Sequence, residues 1–70
     1  MMKYYFYDYE DNNGRHEVHT EACDKLPSVE NRTYIGQFSN CHAALDKASK
    51  DYPSKKFDGC FWCSRECHKG

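Results

Sequence analysis

The sequence predicts an α+β fold in one small domain, and three observations carry that expectation. An aromatic run is followed by a turn-forming Asp11-Asn12-Asn13-Gly14, one later stretch repeats apolar residues at helical spacing, and two pairs of metal-ligating side chains stand far apart in the chain. The expected architecture is an N-terminal β-hairpin, a third strand, one main helix and a C-terminal Cys-x-x-Cys knuckle. Seventy residues remove only roughly 60% of the unfolded surface from water, so the core is marginal and a staple is expected.

Lys3 to Tyr9 is dense in Tyr and Phe, whose broad side chains suit a pleated surface, and the Asn-Gly turn after it supplies left-handed backbone. The returning strand runs from about Arg15 to His19, with His16 and Val18 alternating against Glu17 and His19. Thr20 to Leu26 is read as one helical turn capped by Thr20 and stopped by Pro27, with Ser28 to Arg32 as loop. Thr33 to Phe38 resumes strand character, and Gly36 marks a bulge or a close contact.

Cys41, Ala44, Leu45, Ala48 and Tyr52 fall on one face of a helix that Ser39 or Asn40 can cap and Pro53 ends. Ser54 to Gly59 is then a loop leading into Cys60-Phe61-Trp62-Cys63, with a short helical turn as tail. There is no internal repeat, no low-complexity tract and no second domain, so residues 1–70 are taken as a single zinc-binding domain.

The net charge of −1 provides no global positive field for a nucleic-acid backbone. The opening residues lack the apolar segment of a signal peptide, and no stretch reaches transmembrane length. A reducing cytoplasm is therefore expected, where five cysteines favour metal over disulfides. Asn31-Arg32-Thr33 matches a glycosylation sequon and reads as a chance match at a turn.

Zinc takes four nitrogen or sulfur ligands in a tetrahedron, usually as two close pairs brought together by the fold. His19 and Cys23 form one pair, four residues apart and so able to point the same way from a single turn; Cys60 and Cys63 form the other. Four protein ligands leave no open position for water activation, so the single zinc is expected to be structural, with binding and folding linked. Cys67 and His68 compete with His19 for the fourth position, because Cys63 and Cys67 share a helical face. Cys41 is read as a buried packing thiol, and His16 and His42 as solvated.

The order Val18-His19-Thr20-Glu21-Ala22-Cys23, Leu26-Pro27, Tyr34-Ile35-Gly36-Gln37-Phe38, a helix carrying Ala44 and Ala48, and Cys60-x-x-Cys63 resembles the metal-binding domain of the Ada DNA-repair protein. It is similar also to the small Ada-like zinc modules appended to some bacterial nucleases, over about residues 15 to 64. The resemblance implies an α+β unit with one tetrahedral zinc in a small bacterial protein. It does not imply the repair reaction, since the position of the methyl-accepting cysteine is His19 here.

The function expected is a noncatalytic binding or scaffold module, monomeric, with a protein or nucleic acid as its partner class. Tyr4, Tyr5, Phe6, Tyr7 and Tyr9 could stack bases with help from Lys3, Arg15, Lys55 and Lys56, although a two-faced strand accounts for them better. The alternative function is a thiol-disulfide redox protein using Cys60 and Cys63. Against it, thioredoxin-like enzymes place the motif early, ahead of a long helix. Tyr34-Ile35-Gly36 echoes half of a nuclease signature but lacks the other half and carries no catalytic weight.

Overall fold

The computed structural model describes residues Met1–Gly70. Strand β1 (Met2–Tyr7) pairs antiparallel with β2 (Arg15–Thr20), giving the expected hairpin, with Tyr4 opposite Thr20 and Phe6 opposite Val18. The turn is organised by Asp11: its carboxylate accepts from the Asn13 and Arg15 N–H groups at 2.8 and 3.0 Å. Gly14 then takes the left-handed φ of 74° that the reversal requires.

β3 (Arg32–Phe38) lies antiparallel along the free side of β1. Its register slips opposite Tyr4 and Tyr5, where Gly36 adopts φ 151° and where an added Cβ would lie 3.0 Å from the Phe38 ring. The bulge expected at Gly36 is therefore present. α1 (Cys41–Asp51) is capped by Asn40, whose side-chain oxygen accepts from the Ala43 N–H at 3.0 Å.

Two stretches depart from the expected pattern. Lys56–Gly59, read as loop, is a fourth strand, β4, paired parallel with β2 in the order β3-β1-β2-β4. Its four residues carry no alternation long enough to register as a strand; what makes them one is docking Phe57 beside His16. Thr20 to Leu26 forms two successive turns rather than a helical turn, because Thr20 is still paired in β2 and its carbonyl accepts from the Cys23 N–H at 3.2 Å. Val29–Asn31 within the expected loop makes a single 3₁₀ turn.

The core lies between α1 and one face of the sheet: Tyr4, Phe6, Val18, Cys41, Ala44, Ala48, Phe57 and Cys67 are buried together, with Ile35, Phe38 and Leu45 packed against them. Phe6 sits at its centre, meeting Phe57, Tyr52 and His16 edge to face at 5.0, 5.3 and 5.6 Å. His16 is thus not solvated. It is 3% exposed, and its Nδ1 donates to the Tyr7 carbonyl at 2.8 Å, which satisfies the ring without leaving the core.

The five cysteines do not all remain thiols. Cys41 and Cys67 form a disulfide joining the first turn of α1 to the 3₁₀ turn Arg65–Cys67. That corrects the expectation of five reduced cysteines and removes Cys67 as a rival ligand. Closing a loop of 26 residues lowers the unfolded chain's entropy by about 3–4 kcal/mol at room temperature on a chain-entropy account. His68, the other rival, turns away and donates from Nδ1 to the Gly59 carbonyl at 3.0 Å.

The C-terminal segment folds tightly over the end of β4. Asp58, buried, accepts from the Lys69 N–H at 2.6 Å and faces Arg15 at 3.8 Å. At Gly59 a Cβ would press on the Ser64 carbonyl and sit 2.7 Å from the Cys67 Cβ. Those are backbone and disulfide atoms with nowhere to go. Gly59→Ala is expected to lower stability by roughly 1–3 kcal/mol, as overpacking does, seen as a fall in thermal midpoint; an unchanged midpoint would mean that the C-terminal segment moves aside at no cost and would refute this.

Candidate metal centre

The parallel register of β2 and β4 determines where the candidate ligands go. Val18 is opposite Gly59, and the Cys60 N–H donates to the Val18 carbonyl at 2.9 Å, so the next residue along each strand is a candidate ligand, His19 and Cys60. Both chains then leave the same end of the sheet. The turns at 20–23 and 60–63 bring in Cys23 and Cys63, and Ser64 N–H closes the second turn onto the Cys60 carbonyl at 2.8 Å.

The donor atoms of His19, Cys23, Cys60 and Cys63 all lie within 4.8 Å of one another. His19 Nδ1 is 3.7 Å from the Cys23 sulfur and 4.0 Å from that of Cys63, and the Cys23 and Cys60 sulfurs are 3.9 Å apart. None of the three cysteines is in a disulfide. This is a Cys/His group that can hold a metal ion.

Its surroundings support negative sulfur. The Thr20 N–H donates to Cys63 Sγ and the Lys25 N–H to Cys23 Sγ, both at 3.4 Å. The second ring nitrogen of His19, Nε2, faces the Glu17 carboxylate at 3.6 Å. A carboxylate behind an imidazole fixes the tautomer that leaves the other nitrogen free to ligate. The sequence places Glu17 beside His19 in the alternation of β2 but assigns it no part in the site; that alternation, which puts residues 17 and 19 on one face, was the available signal.

Without an ion the three thiols are unequal. Burial pushes the Cys63 thiol up, but hydrogen bonds from His19, Cys23, the Thr20 N–H and Ser64 outweigh it and bring its pKa down to about 6. Burial, and then its hydrogen bond to Cys63, pushes Cys23 up to about 12. Burial raises Cys60 as well. The metal-free cluster at neutral pH is therefore one thiolate, Cys63, shared with two thiols.

Access is open on one side. Cys23 and Cys63, with Thr20, Ala22, Lys25 and Trp62, line a cleft of about 460 Å³. Trp62 is 70% exposed at its rim, while Cys60 is buried at 2% exposure and does not line it. The cleft leaves Cys23 and Cys63 open to an ion from solvent. No helix of the chain is long and apolar enough to cross a membrane. Comparison with family models, with curated proteins and with solved structures found no match.

The inequality of the thiols has a measurable sign. A folded pKa below the ordinary 9.0 means that Cys63 stabilises the metal-free fold fully above pH 9.0 and ceases to do so as pH falls through about 6. Cys23, shifted the other way, contributes fully below 9.0 and loses its contribution as pH rises through about 12. Ultraviolet thiolate absorption of the metal-free protein is expected to show one thiolate per chain at neutral pH, abolished by Cys63→Ser. Three thiols titrating together near 9.0 would refute this.

Proposed function

We propose that the protein is a noncatalytic binding or scaffold module whose fold is stapled by one structural zinc on His19 Nδ1 and the sulfurs of Cys23, Cys60 and Cys63. The observation that carries this reading is the spacing of the donors. Zinc–sulfur bonds of about 2.3 Å and zinc–nitrogen bonds of about 2.0–2.1 Å place tetrahedral sulfurs about 3.8 Å apart and a sulfur and a nitrogen about 3.6 Å apart. The 3.9 Å between the Cys23 and Cys60 sulfurs and the 3.7 and 4.0 Å from His19 Nδ1 to Cys23 and Cys63 need little change to meet that, and the remaining donor pairs lie within 4.8 Å.

The donor set also points to zinc. Three thiolates and an imidazole suit a borderline-soft ion and offer calcium or magnesium nothing they prefer. With all four positions supplied by the chain, no site is left for an activated water, which argues for a structural role. The ligand order and the strands and helix between the two pairs are the basis for an Ada-like module; with His19 in place of the methyl-accepting cysteine, that kinship concerns the scaffold and not the repair chemistry.

The redox alternative is weaker. A Cys-x-x-Cys oxidoreductase needs its first sulfur exposed and acidic. Cys60 is buried, and burial raises its pKa. Phe61 and Trp62, at the tip of the knuckle, are the exposed aromatic surface that a partner of the module would meet, with Arg65 stacked 4.7 Å over the Phe61 ring.

Purified protein is expected to carry one zinc per chain by elemental analysis. Cys60→Ser should abolish stoichiometric metal, and Cys41→Ser should leave it, since Cys41 lies in the disulfide and not in the cluster. Equal metal in both variants, measured without reductant, would overturn the ligand assignment. Glu17→Gln should weaken zinc by roughly 10–100-fold, the usual cost of losing a carboxylate behind a ligating histidine; unchanged affinity in a competitive chelator titration would remove Glu17 from the site.

A further inference from the structure

A second group of donors lies away from the His19 cluster, at the disulfide. The ligand atoms of Cys41, His42 and Cys67 all fall within 4.8 Å of one another. Glu66 Oε2 is 3.9 Å from His42 Nε2. The two sulfurs are buried, whereas the imidazole and the carboxylate are largely exposed. They belong to the first turn of α1 and to the turn Arg65–Cys67, the two segments that the disulfide ties together.

We propose that reduction of the Cys41–Cys67 disulfide turns this cross-link into a second metal site, which takes zinc on Cys41, His42 and Cys67 with Glu66 as the fourth ligand. Two thiolates, an imidazole and a carboxylate are a ligand set that zinc accepts. Cys41 is the first residue of an eleven-residue helix, where the N-terminal dipole favours a thiolate. His42, Glu66 and Cys67 line one open cleft of about 300 Å³, and Cys41 lines another beside Glu66, so an ion can approach from solvent.

The chemistry balances with a named reductant. A trialkylphosphine attacks one sulfur, the S–S bond breaks, and water supplies the oxygen of the phosphine oxide and the two protons of the thiols. Phosphorus gives up two electrons and the sulfurs gain them. Zinc then displaces the two thiol protons to solvent as the sulfurs open to about the 3.8 Å of a tetrahedral edge. A dithiol reductant reaches the same dithiol state by exchange, its own two sulfurs becoming a disulfide.

The consequence is a cross-link that survives a change of redox state. Residues 41 and 67 are joined by sulfur–sulfur bonding when oxidised and by a shared ion when reduced, and the 26-residue span between them stays closed in both. The core is small, and both sulfurs are part of it. Losing that closure without a replacement would release the turn that packs against Gly59.

Zinc per chain, counted by elemental analysis after removal of loosely held metal, tests this with the full-length protein. The oxidised protein is expected to hold one equivalent and the phosphine-reduced protein two. His42→Ala, a change at an exposed position, should return the reduced protein to one and leave the oxidised protein at one. A reduced protein that holds no more zinc than the oxidised one, or a reduced His42→Ala variant that still gains an equivalent, would overturn the proposal. With Co²⁺ as probe, the second equivalent must add thiolate-to-metal absorption; an equivalent without it lies elsewhere and also counts against the site. Should the oxidised protein hold none, the His19 cluster fails as a zinc site, while the gain on reduction still decides the second site on its own.

Discussion

The pairing of β4 with β2 is the constraint on which the rest of the molecule depends. Parallel strands send both chains out of the same end of a sheet. Placing Val18 beside Gly59 makes the first residue beyond each a donor, His19 and Cys60. An antiparallel pairing of the same residues would have sent Cys63 toward the opposite end from Cys23. The crossover that permits the parallel arrangement is β3 and α1 together, so the helix that covers one face of the sheet also delivers the knuckle to the edge of β2.

That placement divides the molecule into two regions with different cohesion. On the helix side, Phe6, Phe57, Val18 and the alanines of α1 are held by burial, and the disulfide closes the span around them. At the sheet end, the turns around Cys23 and Cys63 contribute few apolar side chains, and what draws them together is polar: thiols, an imidazole and backbone N–H groups. Gly59 stands at the boundary, since its missing side chain lets the turn carrying Cys67 approach β4 while its neighbour Cys60 faces the cluster. The covalent cross-link closes the helix side independently of the sheet-end cluster.

Much of this was legible in the sequence where a short-range rule applied. The Asp11 to Gly14 turn, the helical stripe from Cys41 to Ala48 and the bulge at Gly36 each follow from local chemistry. The candidate ligand pairs were visible through their spacing, and the structure brings all four residues together. The misreadings share a cause. Lys56–Gly59 is a strand only because β2 offers an edge, His16 is buried only because Phe57 arrives beside it, and Cys41 meets Cys67 only after the chain has crossed over. Pairing across tens of residues leaves no mark on local periodicity. A helical stripe beginning with cysteine and a cysteine in the tail were each readable alone, but not as partners.

Charge at the sheet end completes the picture. A divalent cation held by three thiolates would leave a net negative charge, which sulfur sheltered from water tolerates only if donors point at it. The backbone supplies them, from Thr20 at the end of β2 to Cys63 and from Lys25 in the turn beyond Cys23 to Cys23. Glu17 adds further negative charge, yet it meets the far nitrogen of His19, where it would oppose the loss of electron density to a cation on Nδ1. Cys63, whose pKa lies below neutral while those of Cys23 and Cys60 are raised, stands at the edge of the open cleft and is the sulfur a cation would meet first. Binding through all three sulfurs would require the other two to give up their protons. What sets Cys63 apart is the set of hydrogen bonds from His19, Cys23, the Thr20 N–H and Ser64, which outweigh its burial, whereas burial dominates at Cys23 and Cys60.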